Sequence, residues 1–189
     1  MTAAHLAPLP PIELLDRIPA GTFAATMAPL FEGAPRFLER LANARPFGSL
    51  EVLFAQARQI AHAMPVEEQL ELIDAHPRLG APPAGVSALS FVEQGYDRDA
   101  ADVAARDATA ERDRVAAELD RLNAAYEERF GFRYCVFVDG RSRAELLPGM
   151  AAALDAARPD EIGRAIGAVI DIAQDRAGRL GNAPTEATP

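Results

Sequence analysis

Apolar residues recur three and four positions apart along most of this chain, in stretches separated by Pro, Gly or short polar clusters. This spacing places apolar side chains on one face of an α-helix, whereas the alternation typical of strands is scarce. The clearest stripe comprises Leu50, Leu53, Phe54, Ala57 and Ile60. Ser49 supplies an N-cap directly before it. The periodicity therefore predicts an all-α bundle of about seven or eight helices.

The other predicted helices are bounded by the same Pro and Gly residues. They run over Ile12–Ile18, Thr22–Glu32, Pro35–Ala44, Pro65–Ala75, Asp97–Glu128, Ser142–Ala157 and Asp160–Leu180. Pro29 strains the second of these, because a proline inside a helix has no N–H to donate. The long helix ends before Gly131, and its first half can be a separate piece. Its second half carries an apolar stripe of Val115, Leu119, Leu122 and Tyr126.

One apolar run does not have helical spacing. It consists of Tyr134, Cys135, Val136, Phe137 and Val138, which are mostly β-branched or aromatic. Locally this run resembles a strand, but the chain offers no clear partner strand. We therefore predict an extended segment near residues 132–138, threaded between helices.

Composition excludes several classes of protein. The net charge is −9, which disfavours binding to nucleic acid or to anionic membranes. No apolar stretch approaches the roughly 18 to 20 residues of a membrane helix, and the first residues lack a signal-peptide pattern. Cys135 is the only cysteine, which fits a reducing cytosol and excludes an internal disulfide. We expect a cytoplasmic protein, and the use of Arg for all 19 basic residues indicates a GC-rich bacterial source.

The length of 189 residues fits one domain, which we assign to residues 1–181, followed by a flexible tail at 182–189. The sequence contains no P-loop, dinucleotide-binding fingerprint, HExxH pair or acidic calcium loop. We therefore expect no nucleotide and no metal cofactor.

Of the three histidines, His76 is the best placed to carry a proton. It stands at a predicted helix end, where exposed carbonyls stabilise an imidazolium, and Pro77 restricts the backbone that follows. His5 lies near the start of the chain and His62 lies within a predicted helix. The alternative is that His76 serves only as a C-terminal cap.

Ser90, Glu93 and Gln94 occupy positions i, i+3 and i+4, which share one helical face. A hydroxyl, a carboxylate and an amide on one face form a polar recognition surface. The alternative is a capping box, because Ser-x-x-Glu is also the pattern in which both side chains satisfy backbone amides at a helix start.

Arg176 falls in line with Ile172 and Leu180, so it can point inward and bind a carboxylate or ureido oxygen. The alternative is a surface Arg with a buried stem. A Cys135–His76 nucleophile pair is disfavoured, because a lone Cys in an apolar run is usually a small core residue.

Five motifs occur in a characteristic order. They are Arg45-Pro46-Phe47, His76-Pro77-Arg78-Leu79-Gly80, Ser90-x-x-Glu93-Gln94, Asn123-x-x-Tyr126 with Arg129-Phe130-Gly131-Phe132, and Ile172 with Arg176. Together they resemble the 2-oxo-4-hydroxy-4-carboxy-5-ureidoimidazoline (OHCU) decarboxylase family, which completes the route from urate to (S)-allantoin. The resemblance spans nearly the whole chain. It implies an all-α fold, a homodimer and a cofactor-independent carboxy-lyase acting on a small molecule.

By position, the resemblance implies that His76 is the catalytic acid and Glu93 its partner. The implied substrate contacts are Pro77, Ser90, Gln94, Arg176 and the backbone of Tyr134, Cys135, Val136, Phe137 and Val138. The chemistry agrees with these residue types: the carboxylate leaves as carbon dioxide, the ring accepts the electrons, and an acid protonates the resulting carbanion equivalent on one face.

The chain departs from the family pattern in two places that bear on the substrate. Arg133 replaces the proline that follows Phe-Gly-Phe in many relatives, and Gly95-Tyr96-Asp97 replaces Ala-Gly-Leu before a longer connection. Two alternatives therefore stay open: the same scaffold acting on another carboxylated heterocycle, and an all-α protein-interaction module.

Overall fold

Nine α-helices and two 3₁₀ turns form the regular structure of the computed structural model, which describes residues 8–96 and 106–181. The α-helices are α1 (Ile12–Leu15), α2 (Ala20–Met27), α3 (Pro35–Asn43), α4 (Leu50–Ala63), α5 (Val66–Asp74), α6 (Ala88–Glu93), α7 (Arg106–Phe130), α8 (Arg143–Ala153) and α9 (Arg158–Gly181). The 3₁₀ turns are Ala28–Phe31 and Pro83–Gly85. Within these described ranges there is no β-strand, which confirms the predicted all-α class.

The chain divides into two compact units. The first comprises the described residues up to Ala75 and from Ile166 onward, and the second comprises His76–Ala165. Helix α9 contributes residues to both units. The predicted tail at 182–189 lies outside the described residues, as does 97–105, the first part of the predicted helix over Asp97–Glu128.

In the first unit, α3 packs against α2, α4 and α5. The largest fully buried apolar side chains there are Leu15, Phe23, Met27, Leu30, Phe31, Phe37, Leu41, Leu53, Leu72 and Ile73. Ser49 caps α4 as predicted, with its hydroxyl accepting the Val52 N–H at 3.1 Å. The predicted α4 stripe is buried at its centre, whereas Leu50 at its start is 39% exposed.

Pro29 alters the predicted helix over Thr22–Glu32. Helix α2 ends at Met27, and the next residues form a 3₁₀ turn with Pro29 near its start. Proline has no N–H for the α-helical hydrogen bond, so the chain tightens at this point. Glu32 follows in the left-handed region at φ 52°, where the turn ends.

In the second unit, α7 packs against α8. The predicted apolar stripe of α7 is buried, with Leu119, Leu122 and Tyr126 at most 1% exposed. Helix α8 begins with a capping box formed by Ser142 and Glu145, and it ends at Ala153, before the predicted end.

The run from Phe132 to Val138 forms no helix and belongs to no sheet, which agrees with the prediction that it has no partner strand. It connects α7 to the turn before α8. We refer to residues 132–138 as the extended segment. In the part of the chain that the structure covers, no helix is both long and apolar enough to cross a membrane.

Candidate active site

The turn that carries His76 is fixed by the amide side chain of Gln94, the C-cap residue of α6. We call residues 76–80 the histidine turn. The Oε1 atom of Gln94 accepts the Gly80 N–H at 2.8 Å, and its Nε2 donates to the Arg78 carbonyl at 3.2 Å. One side chain therefore satisfies a donor and an acceptor of the same turn, so the structure brings Gln94 and the histidine turn together.

One face of α7 fixes the same turn from another direction. Leu119, Asn123 and Glu127 are spaced four residues apart, so they line up along the helix. Asn123 Nδ2 donates to the Leu79 carbonyl at 3.0 Å, and Arg78 forms a two-pronged ion pair with Glu127 at 2.6 and 2.9 Å. These contacts hold the backbone after His76 against a rigid helix.

Gly80 is required where the histidine turn meets α7. Its φ is +80°, in the left-handed region, and a Cβ atom at this position would lie 3.0 Å from Leu119 Cδ1. A side chain would be both strained and crowded. This explains the glycine that ends the His-Pro-Arg-Leu-Gly motif.

Arg133 reaches the histidine turn from the extended segment. Its Nη1 donates to the His76 carbonyl oxygen at 3.2 Å. The departure from the family pattern at this position therefore introduces a direct contact between the extended segment and the backbone of the predicted catalytic residue.

The predicted polar face on α6 is partly buried. Ser90 is 3% exposed and Gln94 is 9% exposed, while Glu93 is half-buried at the last position of the helix. The N-cap of α6 is Ser87, whose hydroxyl accepts the Ser90 N–H at 3.2 Å. The capping-box alternative for Ser90 and Glu93 is therefore wrong, because neither residue stands at the start of the helix.

His76 itself is 4% exposed, and Pro77 beside it is half-buried. A side chain so enclosed has few rotamers open to it, which suits a proton donor that must act on one face of a substrate. Among the described residues, no group of three or more His, Cys, Asp or Glu side chains could hold a metal ion.

The extended segment buries Tyr134, Cys135 and Val138, and it leaves Val136 and Phe137 half-buried. Arg141 clamps its far end by donating from Nε to the Val138 carbonyl at 3.0 Å and from Nη2 to the Phe137 carbonyl. A segment that belongs to no sheet must satisfy its carbonyls in this way.

Sequence reasoning missed two side chains that lie next to the extended segment, Glu161 and Arg164. Glu161 accepts the Tyr126 hydroxyl at 2.7 Å and Arg164 Nε at 2.8 Å. Burial raises the pKa of Tyr126, and its hydrogen bond to Glu161 raises it further. The available signal was the Glu161–Arg164 spacing of i, i+3, which in a sequence is indistinguishable from a surface ion pair.

Arg176 belongs to the first unit, where its guanidinium is completely buried. Its Nη1 donates to the carbonyls of Pro29 and Leu30 at 3.0 and 3.3 Å, and its Nη2 donates to Glu32 Oε1 at 2.8 Å. Arg176 therefore points inward, and the alternative of a surface Arg with a buried stem is wrong.

Three kinds of comparison, with a family model, with related sequences and with solved structures, relate the chain to known proteins. The family model for OHCU decarboxylase matches residues 16–178. The chain is 27% identical over 169 residues to 2-oxo-4-hydroxy-4-carboxy-5-ureidoimidazoline decarboxylase of Haloferax volcanii, covering 87% of the chain and 92% of that relative. It is 31% identical to the uric acid degradation bifunctional protein PucL of Bacillus subtilis, covering 86% of the chain and 31% of that longer protein.

Two solved structures share the fold. One, an OHCU decarboxylase crystallised in the presence of (S)-allantoin, matches with a TM-score of 0.61 at 21% identity, covering 82% of this chain and 95% of that one. The other, an (S)-allantoin synthase, matches with a TM-score of 0.62 at 17% identity, covering 90% of this chain and 54% of that one.

Proposed function

Since the chain belongs to the OHCU decarboxylase family, we propose that it converts 2-oxo-4-hydroxy-4-carboxy-5-ureidoimidazoline to (S)-allantoin and carbon dioxide in the degradation of urate. The observation that carries this proposal is the family match over residues 16–178. The order of the five motifs and the shared fold support it.

In the proposed reaction, the bond between the ring carbon and its carboxylate breaks and its electron pair passes into the imidazoline system. The neighbouring ring carbon, which bears the ureido group and becomes the stereocentre of (S)-allantoin, then takes a proton, and we assign that proton to the His76 imidazole. The hydroxyl on the decarboxylated carbon loses its own proton and becomes the ring carbonyl. The supporting observation is that Arg78, Leu79 and Gly80, which follow His76, are all anchored by side chains of α7 or by the α6 C-cap residue. A positioned general acid typically contributes about 10² to 10⁴-fold in rate.

The remaining roles follow the resemblance. Glu93 is the catalytic partner of His76, and the substrate contacts in the second unit are Pro77, Ser90, Gln94 and the backbone of residues 134–138. The resemblance also assigns a substrate contact to Arg176 of the first unit. The amide of Gln94 already bonds to the histidine turn, so any substrate contact of Gln94 also depends on that turn. We further propose that the enzyme needs no cofactor and acts as a homodimer in the cytoplasm.

The test is an assay that generates the unstable substrate in situ from urate with urate oxidase and hydroxyisourate hydrolase. Circular dichroism then follows (S)-allantoin with and without the protein. We expect formation faster than spontaneous decay, and a loss of about 10²-fold or more in His76→Asn. A trace no faster than spontaneous decay, with folded protein, would overturn the proposed activity.

Matched variants separate the roles of individual residues. His62→Asn makes the same chemical change on the exposed side of α4, so it should keep wild-type activity. Glu93→Gln should lower activity while the far-ultraviolet spectrum stays unchanged. Equal activity in His76→Asn and His62→Asn would show that His76 is not the proton donor.

A further inference from the structure

Tyr126, Glu161 and Arg164 form one buried hydrogen-bonded network, which we call the tyrosine–glutamate–arginine network. Tyr126 is fully buried and Glu161 is 4% exposed. One carboxylate oxygen of Glu161 accepts both the Tyr126 hydroxyl and Arg164 Nε. The position of the Arg164 guanidinium is therefore set by α7 through Tyr126 as well as by its own helix, α9.

The other end of Arg164 holds the middle of the extended segment. Its Nη1 donates to the Cys135 carbonyl at 2.8 Å, and its Cζ lies 4.6 Å from the centre of the Tyr134 ring. The guanidinium thus contacts both a backbone carbonyl and the neighbouring aromatic face, where a cation is favoured.

This contact fixes the direction of a backbone donor. The Cys135 carbonyl and the Val136 N–H belong to the same peptide, and a planar trans peptide points them in opposite directions. With the carbonyl held by Arg164, the Val136 N–H points away from Arg164. Val136 is half-buried, and its N–H donates no hydrogen bond to any residue that the structure describes.

Stability alone gives little reason for this arrangement. A buried ion pair has a desolvation cost that its Coulombic attraction offsets only with good geometry, and hydrophobic replacements are often at least as stable. The Arg164 Nη2 atom is also buried without a hydrogen-bond partner among the described residues, which adds to the cost. What the network supplies is a defined position for a peptide that no sheet holds.

We propose that Arg164, held by Glu161 and Tyr126, is a positioning residue that directs the Val136 N–H toward the substrate. This inference rests on the proposed function, which assigns the backbone of the extended segment to substrate binding. A preorganised backbone donor is effective where negative charge develops, because it needs no reorganisation during the reaction.

The chain offers a matched control on the same helix. Arg158 Nε donates to the Phe130 carbonyl at 2.8 Å, and its Cζ lies 5.9 Å from the Phe132 ring. Arg158→Met and Arg164→Met each remove one bond to a carbonyl and one contact with a ring, and Arg164→Met also removes the ion pair with Glu161. Only the Arg164 variant releases the Cys135–Val136 peptide.

The first readout needs no turnover. The backbone order parameter of the Val136 amide, from nitrogen-15 relaxation, should lie near about 0.85 in the wild type and in Arg158→Met. It should fall toward about 0.6 in Arg164→Met and recover partly in Arg164→Lys, which keeps the charge. An order parameter that is unchanged in Arg164→Met would overturn the positioning role.

The second readout is kinetic. In Arg164→Met we expect KM for the ureidoimidazoline to rise about tenfold, with a smaller change in kcat, while Arg158→Met keeps the wild-type KM. A purely structural role would lower the folded fraction and leave the KM of the folded enzyme unchanged, which would contradict the proposal. If the wild-type protein does not process the ureidoimidazoline, the proposed function fails, and the order parameter still decides the positioning role.

Discussion

Tyr126→Phe removes one oxygen atom from the centre of the second unit and should measurably destabilise it. The ring packs edge-on against Phe132 and Tyr134, with centroid distances of 5.5 and 5.1 Å, and phenylalanine keeps both contacts. What is lost is the hydroxyl hydrogen bond to the Glu161 carboxylate at 2.7 Å. A hydrogen bond to a charged group contributes about 1.5 to 3 kcal/mol.

For a chain of this size, each kcal/mol shifts the melting temperature by about 2 to 4 °C, so Tm should fall by about 3 to 12 °C. Thermal unfolding followed by far-ultraviolet circular dichroism measures this shift. Tyr134→Phe is the matched control, because the Tyr134 hydroxyl forms no hydrogen bond with any described residue, and it should shift Tm by much less. Equal melting temperatures for Tyr126→Phe and the wild type would refute the assigned hydrogen bond.

Three further predictions concern the same unit. Asn123→Ala leaves the buried Leu79 carbonyl without its donor, so the unfolding free energy measured by chemical denaturation should fall by about 1 to 3 kcal/mol. Decarboxylase activity should fall as well. Activity equal to wild type would argue against a role for the Asn123–Leu79 hydrogen bond in holding the histidine turn. Ser142→Ala should cost about 0.5 to 2 kcal/mol. Hydrogen bonds from Ser142 lower the pKa of Glu145. The stability that these bonds provide is therefore present above the ordinary carboxyl pKa and is lost as pH falls through the lowered pKa. The unfolding free energy of Ser142→Ala should depend less on pH in this acid range. Burial raises the pKa of Tyr126 and Tyr134 above 10.0. The stability that the two neutral phenols provide is therefore complete below pH 10.0 and is lost as pH rises through the raised pKa values. Phenolate absorbance that shows both side chains ionised near pH 10.0 in folded protein would contradict this.

The helices could be predicted because each one buries a single face. In α7, the stripe ending at Tyr126 is buried as its spacing indicates. The extended segment could be predicted from the same logic, since a lone run of strand-like residues has no partner. Apolar spacing did not predict where α2 ends. The predicted helix becomes a 3₁₀ turn at Pro29, because the proline has no N–H.

The contacts around the histidine turn could not be predicted from the sequence. Gln94 and Asn123 form hydrogen bonds with backbone atoms 14 to 44 positions away, and such bonds produce no periodic pattern in the sequence. Glu161 and Arg164 have the spacing of an ordinary surface pair, and only the packing of the extended segment shows that the carboxylate is buried. The motifs predicted a set of site residues, while the packing of the helices determines what those residues touch.

The most direct test of the central claim is the enantiomeric composition of allantoin formed in the presence of the wild type and of His76→Asn. If His76 delivers the proton to one face, the wild type yields (S)-allantoin alone. The variant then yields racemic product at the spontaneous rate. Formation of (S)-allantoin by His76→Asn at the wild-type rate would contradict the account, because some other group would then protonate the carbon.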